Sequence, residues 1–257
     1  MMMMDAYPQD SDQVLFAQLA TYLSESIQVY ALLDHSFDPR LLKKMRDRIV
    51  WTSLYQDHGA ETDVSPLLCV LNSENEAELM EQIKLLLKIT NGQPMLSFYL
   101  STLDREAIFS HFDHYFDVSI LPEKLSYILR YADTRILPNL LAQLSPEQKA
   151  AFLSPFSSVV YFDRAAQIIQ LEGGGQTKIT NQALVLTEVQ FISMMDKALP
   201  DQILQNIQLL GLQSLLPIEP SKAYAQIREL CDIALAQGSS DDEILSFCVE
   251  HLRGEAG

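Results

Sequence analysis

Helix-start signals punctuate this chain so often that they divide it into short elements before any hydrophobic pattern is weighed. Ser145-Pro146-Glu147-Gln148 is a capping box with proline at the first helical position, and Ser73 with Glu76 and Thr187 with Gln190 repeat its spacing. In such a box the hydroxyl accepts from the third amide of the helix while the acid or amide side chain reaches back, so a helix is expected to begin there. Ser240 with Glu243 opens a further one. Between these starts lie apolar runs too short to be helices: Ile27 to Leu33, Thr52 to Tyr55, Leu67 to Leu71, Met95 to Ser101, Asp117 to Leu121 and Leu125 to Tyr131. Strand alternating with helix predicts an α/β (α+β) lobe, a mixed β-sheet flanked by helices.

The helices between those strands carry one apolar stripe each. Phe16, Leu19, Ala20 and Leu23 share a face, and so do Leu79, Ile83, Leu86 and Leu87, in a helix that stops at Asn91-Gly92. Asp38 caps a helix with Pro39 at its first position and Leu42, Met45 and Ile49 buried. A helix from about Asp104 to Tyr115 turns Ile108, Phe112 and Tyr115 inward, and Asp133 starts another. After Phe156 the period changes to two, at Val159 to Phe162, Gln167 to Leu171 and Ala183 to Leu186, with Gly173-Gly174-Gly175 reading as a flexible hairpin-like connector. From Thr187 the pattern is helical throughout: a run to Leu216 stopped by Pro217 and Pro220, then Lys222 to Gln237 ended by Gly238. In the last helix Ile244, Phe247, Cys248 and Leu252 share a face. The expected organisation is an α/β lobe over 1–172, a connector and strand over 173–186, and a small all-α C-terminal lobe over 187–257.

Composition bounds the function. With 257 residues, 48% hydrophobic and 20% charged, the chain buries a core without metals or crosslinks. It has 18 basic against 34 acidic residues, a formal charge of −16. The excess is spread: 11 basic against 20 acidic through Arg135, and 7 against 14 beyond it. No basic face exists to displace counterions from phosphate, so nucleic acid and anionic membranes are poor partners. The acidity serves solubility or complements a basic protein. Cys69, Cys231 and Cys248 have no metal-like spacing and sit among apolar neighbours, which reads as buried thiols in a reducing compartment. Neither a signal peptide nor an apolar run of about 18 residues or more is evident, so a soluble, cytoplasmic chain is expected.

Templates for chemistry are missing. His111, Asp113, His114 and Asp117 are the densest group of potential ligands, but on a helix Asp113 points away from His111, so one ion would not gather them. Asp57 and His58 sit in a polar loop. Gly173-Gly174-Gly175-Gln176-Thr177-Lys178 lacks the phosphate-loop spacing and the helix that must follow it. No G-x-S-x-G elbow or H-E-x-x-H occurs, and Asp241 and Asp242 lie at a helix start, where acids suit the dipole. Trp51 reads as a core or edge anchor. No catalytic residue, metal or cofactor is therefore expected. One internal echo is notable: Val29-Tyr30-Ala31-Leu32-Leu33 leads into Asp38-Pro39-Arg40, and Ser126-Tyr127-Ile128-Leu129-Arg130-Tyr131 leads into Asp133-Thr134-Arg135. Either strand-to-helix turns simply favour Asp, or each Arg is pinned by its turn for a contact between lobes or with a partner.

These blocks carry a resemblance. Tyr30-Ala31-Leu32-Leu33-Asp34 with Asp38-Pro39-Arg40-Leu41, then Ser53-Leu54-Tyr55, then Asp63-Val64-Ser65-Pro66-Leu67-Leu68 are similar to successive segments of the type VI secretion effector adaptor and chaperone family. Phe98-Tyr99-Leu100-Ser101, Tyr131-Ala132-Asp133-Thr134-Arg135 and Leu144-Ser145-Pro146-Glu147-Gln148 follow in the family's order, and the likeness spans about 30–164. It departs from the family's common Tyr-Asp-Pro-Arg at Tyr131 to Arg135. The resemblance implies a non-enzymatic cytoplasmic adaptor. Such a protein would bind one secreted effector toxin, through its N-terminal region, as a monomer in a 1:1 complex and help load it onto the valine-glycine repeat spike protein. It marks Asp34, Asp38, Arg40, Tyr55, Tyr131, Asp133 and Arg135 as motif positions, serving lobe architecture or partner contact. An immunity-type or generic interaction module remains the alternative, and an enzyme would have to use His111 and His114.

Overall fold

The computed structural model describes residues 3–23, 26–45, 48–56, 64–122, 125–177 and 183–255, with the side chains of 241, 242 and 255 excepted. The pair Asp57 and His58, with Lys178, lies outside the described residues, as do the side chains of Asp241 and Asp242. In chain order the elements are α1 (Ser11–Ala20), β1 (Gln28–Asp34), α2 (Leu41–Met45), β2 (Val50–Ser53), β3 (Pro66–Leu71), α3 (Glu76–Thr90), β4 (Leu96–Ser101), α4 (Arg105–Asp113), β5 (Asp117–Leu121) and β6 (Leu125–Ile128). There follow α5 (Ile136–Gln143), α6 (Pro146–Leu153), β7 (Ser158–Phe162), β8 (Ile168–Glu172), β9 (Val185–Thr187), α7 (Glu188–Leu209), α8 (Pro220–Ala236) and α9 (Asp241–Glu255). The result is α+β with a helical C-terminal region.

Six strands form one sheet in the order β2-β3-β1-β4-β7-β8, antiparallel at every pairing, and β6-β5-β9 form a small second sheet whose β5–β9 pair is parallel. The inner strands β1, β3 and β4 are covered on both sides, which is why they read as apolar runs and not as a polar–apolar alternation, while the edge strands β2 and β8 stay partly exposed. On one face Tyr30, Leu32, Leu68, Tyr99, Val159 and Tyr161 pack under α4, α5, α6 and the small sheet. On the other Val29, Ala31, Leu33, Cys69, Phe98 and Val160 pack under α1, α2 and α3. A third core lies in the helical region, where Ile203 and Ile207 of α7 meet Ile227 and Cys231 of α8 and Ile244 and Cys248 of α9. All three cysteines are free and buried.

Local signals decide the element ends, with four corrections. The boxes at Ser145 with Gln148 and Thr187 with Gln190 both form. At the start of α3, however, Asn75 is the cap, accepting from the amides of Ala77 and Glu78, while the Ser73 hydroxyl donates to the Ile27 carbonyl. Asn sits one residue before the helix, where its side chain reaches two amides at once. Asp38 accepts from the Arg40 amide at 3.0 Å, but α2 starts only at Leu41 and buries Leu41 and Met45 where Leu42 was expected. The run after Thr187 ends at Leu209, before the prolines, because Gly211 adopts a φ of 72° and the Leu212 amide returns to the Ile207 carbonyl.

The fourth correction concerns the glycines. Gly173 to Gln176 are no loose hairpin: their four successive amides donate to the carbonyls of Ser157, Leu153, Phe156 and Ser154. They satisfy the carbonyls left over at the end of α6 and the turn after it. A β-carbon on Gly173 would lie 2.0 Å from the Phe156 carbonyl oxygen, so only glycine allows the approach. The strand after this run joins the small sheet beside β5, while β8 pairs back onto β7.

Candidate functional site

A chain of paired charges, buried at Asp34 and Asp133 and half-exposed at Arg130, crosses from the β1 end of the large sheet into the helical region. Asp34, the last residue of β1, is buried; its Oδ1 accepts from the Ser36 amide and hydroxyl, and its Oδ2 accepts from Arg130 Nη2 at 2.8 Å. The same Nη2 lies 3.8 Å from Oδ2 of Asp133. Asp133, fully buried, then holds Arg135 bidentately, Nε at 3.0 Å and Nη2 at 2.7 Å, and also accepts from the Arg135 amide. Arg135 Nη1 reaches Asp201 of α7 at 3.4 Å, and Asp201 is clasped from its other side by Arg164 at 2.9 and 2.5 Å. Burial alone would lower the Arg135 pKa, but Asp133 and then Asp201 outweigh it and hold the guanidinium charged.

Aromatic rings complete the ladder. The guanidiniums of Arg130 and Arg135 lie 5.4 and 5.3 Å from the Phe37 ring centre, and that of Arg164 lies 3.7 Å from the Tyr224 ring centre on α8. Nearby, Asp5 accepts from the amide and hydroxyl of Ser221 in the first turn of α8, while its own amide donates to the Arg164 carbonyl. A carboxylate at a helix N-terminus meets the positive end of the dipole. Farther along α7, Gln190 donates to Gln148 Oε1 at 3.0 Å and to the Gln143 carbonyl at 2.7 Å, so two capping boxes are themselves joined.

Beside this ladder a groove of about 740 Å³ opens between the α/β body and the helices. Met3, Phe37, Ile136, Leu204, Leu216, Pro217 and Ile218 give it apolar walls; Gln202, Gln205, Gln208 and Gln213 add amides; Arg130, Arg135 and Asp201 line its charged side. Its size is that of ligand-binding clefts, about 300–1,000 Å³. Ile218 is 97% exposed, on the segment between α7 and α8.

Of the residues singled out from sequence, Asp34, Asp133 and Arg135 therefore converge. Tyr131 and Tyr55 do not line the groove: Tyr131 is fully buried, stacked on Phe112 with its hydroxyl donating to the Phe112 carbonyl, and Tyr55 packs edge-on against Phe116. Burial raises the pKa of both phenols. Asp38 and Arg40 form a surface turn, Asp38 held 2.5 Å from Lys44 Nζ and Arg40 79% exposed at its side chain. Desolvation opposes ionisation of Asp38, but Lys44 and Arg40 outweigh it and lower its pKa. The echo between the two turns is thus only local, since only Arg135 bridges to the helices. Sequence reading missed Arg130, Arg164, Asp201 and Phe37; Arg130 stood inside the quoted echo, and no local pattern marks the others.

His111 is buried in a cage of Phe112, Tyr115, Phe152 and Phe156, its Nε2–H donating to the Phe152 carbonyl at 2.9 Å while Nδ1 has no partner. Desolvation pushes its pKa down to about 4. His114 turns instead to the Ser110 carbonyl, and among the described residues no group of three His, Cys, Asp or Glu is placed to hold a metal ion. Also among the described residues, no helix is long and apolar enough to cross a membrane.

No curated protein and no solved structure matches the chain significantly. The family match ends before Arg164 and Asp201, so it contains the Asp34, Arg130, Asp133 and Arg135 side of the ladder but not its helical side. Residues 29–151 match the model of a family described as a domain of unknown function, DUF4123.

Proposed function

We propose that this protein is a cytoplasmic adaptor and chaperone that binds one type VI secretion effector, through the effector's N-terminal region, and helps load it onto the valine-glycine repeat spike protein. The groove between the body and the helices carries this reading. Its apolar walls suit side chains that are insoluble when the effector segment is free, and its glutamines offer both donors and acceptors to a main chain. The resemblance of residues 30–164 to effector adaptors and the match to DUF4123 over 29–151 support the class of partner. A net charge of −16 favours encounter with a basic segment.

Gln205 and Ile218 line the groove from exposed positions, so replacing them leaves the cores alone. The double variant Gln205→Arg with Ile218→Arg should keep the wild-type melting temperature and lose at least tenfold in affinity for the effector, measured by co-expression pull-down and calorimetry. Undiminished binding would remove the groove from the proposal. An effector lacking its N-terminal region should not bind; retention by that truncated form would assign the protein to immunity-type inhibitors.

A further inference from the structure

We propose that the open edge of β6 accepts an extended strand from another protein, apolar on one face and flanked by basic residues. In the order β6-β5-β9, β6 is a terminal strand. The Ser119 amide turns to β9, donating to the Leu184 carbonyl, and the Leu129 amide donates to the Phe116 carbonyl. With Ser119 opposite Ser126 and Asp117 opposite Ile128, this alternation spends the main-chain groups of Leu125, Tyr127 and Leu129 on β5. Those of Ser126 and Ile128 face outward, and neither has a main-chain partner among the described residues.

Exposed sheet edges are ordinarily blunted by lysine, proline or a covering loop. Here the described edge is apolar instead: Leu125, Tyr127 and Ile128 are 52%, 43% and 57% exposed. Tyr127 meets the Phe191 ring of α7 at 4.8 Å, and about one turn of that helix also leaves Ile192 and Met195 exposed. Main-chain bonding along an edge with apolar contacts beside it is the arrangement that strand addition requires.

Charge selects the occupant. Exposed Asp117 stands opposite Ile128, and α7 exposes Glu188 and Asp196 against one cation, Lys197. A second copy of this chain would bring another −16 to the same edge, whereas a strand with basic flanks relieves that field. The edge is distinct from the groove, and its occupation does not depend on the adaptor reading.

The probe is a synthetic peptide of alternating valine and threonine with two arginines at each end, added to the full chain, with a glutamate-ended peptide as control. Bound peptide should slow amide hydrogen exchange at Ser126 and Ile128 at least tenfold. The glutamate-ended peptide should bind at least tenfold more weakly. Ile128→Pro removes an outward amide without touching the β5 bonds and should abolish binding by fluorescence anisotropy; Ile128→Lys, which keeps the amide, should weaken it through repulsion of the arginines. Absent protection at Ser126 and Ile128, or equal binding by both variants, overturns the proposal. Protection of these amides by self-association without peptide would assign the edge to a second copy and also overturn it.

Discussion

Asp38 and Asp133 bear the same local signature, an aspartate whose carboxylate accepts from the amide two residues on, with an arginine there. Asp38 stays at the surface with a mostly exposed arginine, whereas Asp133 is fully buried and needs its bidentate partner. The difference is burial, which no dipeptide encodes. His111 shows the same gap between type and role. The spacing of His111, Asp113, His114 and Asp117 already argues against a shared ion, but not for what His111 does: a ring enclosed by aromatics with its Nε2–H on a carbonyl is held neutral. Its folded pKa of about 4 lies below the ordinary 6.5, so the unfolded chain takes up the proton first. Stability from this site is complete above about pH 6.5 and is lost as pH falls toward 4. The full effect is on the order of 3 kcal/mol. Urea unfolding of wild type and His111→Phe across this window should show the wild type losing more stability as pH falls; parallel curves would contradict the neutral histidine.

At the scale of elements, short-range signals served well where a side chain reaches only its own helix. Both boxes with glutamine at the third position form, and the inner strands β1, β3 and β4 coincide with apolar runs because both of their faces are covered, whereas the half-exposed edge strand β2 lies at Val50–Ser53 and not at Thr52 to Tyr55. Legibility failed where an element end is set by a distant backbone. The glycine run reads as looseness from its composition, yet it lies against the end of α6 at a distance that excludes a β-carbon. Gly173→Ala should therefore destabilise the fold by roughly 1–3 kcal/mol, the usual cost of overpacking. Gly175→Ala meets no close neighbour but sits at φ 57°, and should cost about 1 kcal/mol from strain alone. Thermal denaturation of the two variants separates steric contact from flexibility: equal shifts would argue against the contact at Gly173.

For the whole molecule, the ladder is one of the contacts that tie the helical region to the body, beside the α5–α7 packing and the Gln190 bonds. Removing the Arg135 side chain leaves the Asp133 carboxylate buried with the residue-135 amide and, as its charged partner, Arg130 at 3.8 Å, and releases one of two arginines from Asp201. Breaking a buried pair costs about 3–5 kcal/mol. Arg135→Ala should thus lower stability by about 3 kcal/mol in chemical denaturation, and Arg135→Lys should recover part of it by restoring charge without the bidentate fit. A variant of native stability that lost only effector binding would make Arg135 a contact residue instead.

The sequence by itself determined the kinds of elements, several of their starts and the net charge of −16, because caps, apolar runs and composition act over a few residues or none. It also marked Asp34, Asp133 and Arg135 through their motif positions. Only the tertiary structure decided which charges meet. Asp34 and Arg130 are 96 positions apart, Arg135 and Asp201 are 66, and Arg164 and Asp201 are 37. The groove and the free β6 edge have the same origin: each is what remains uncovered once elements distant in sequence have packed, and packing depends on the shapes of whole faces, which no local pattern records.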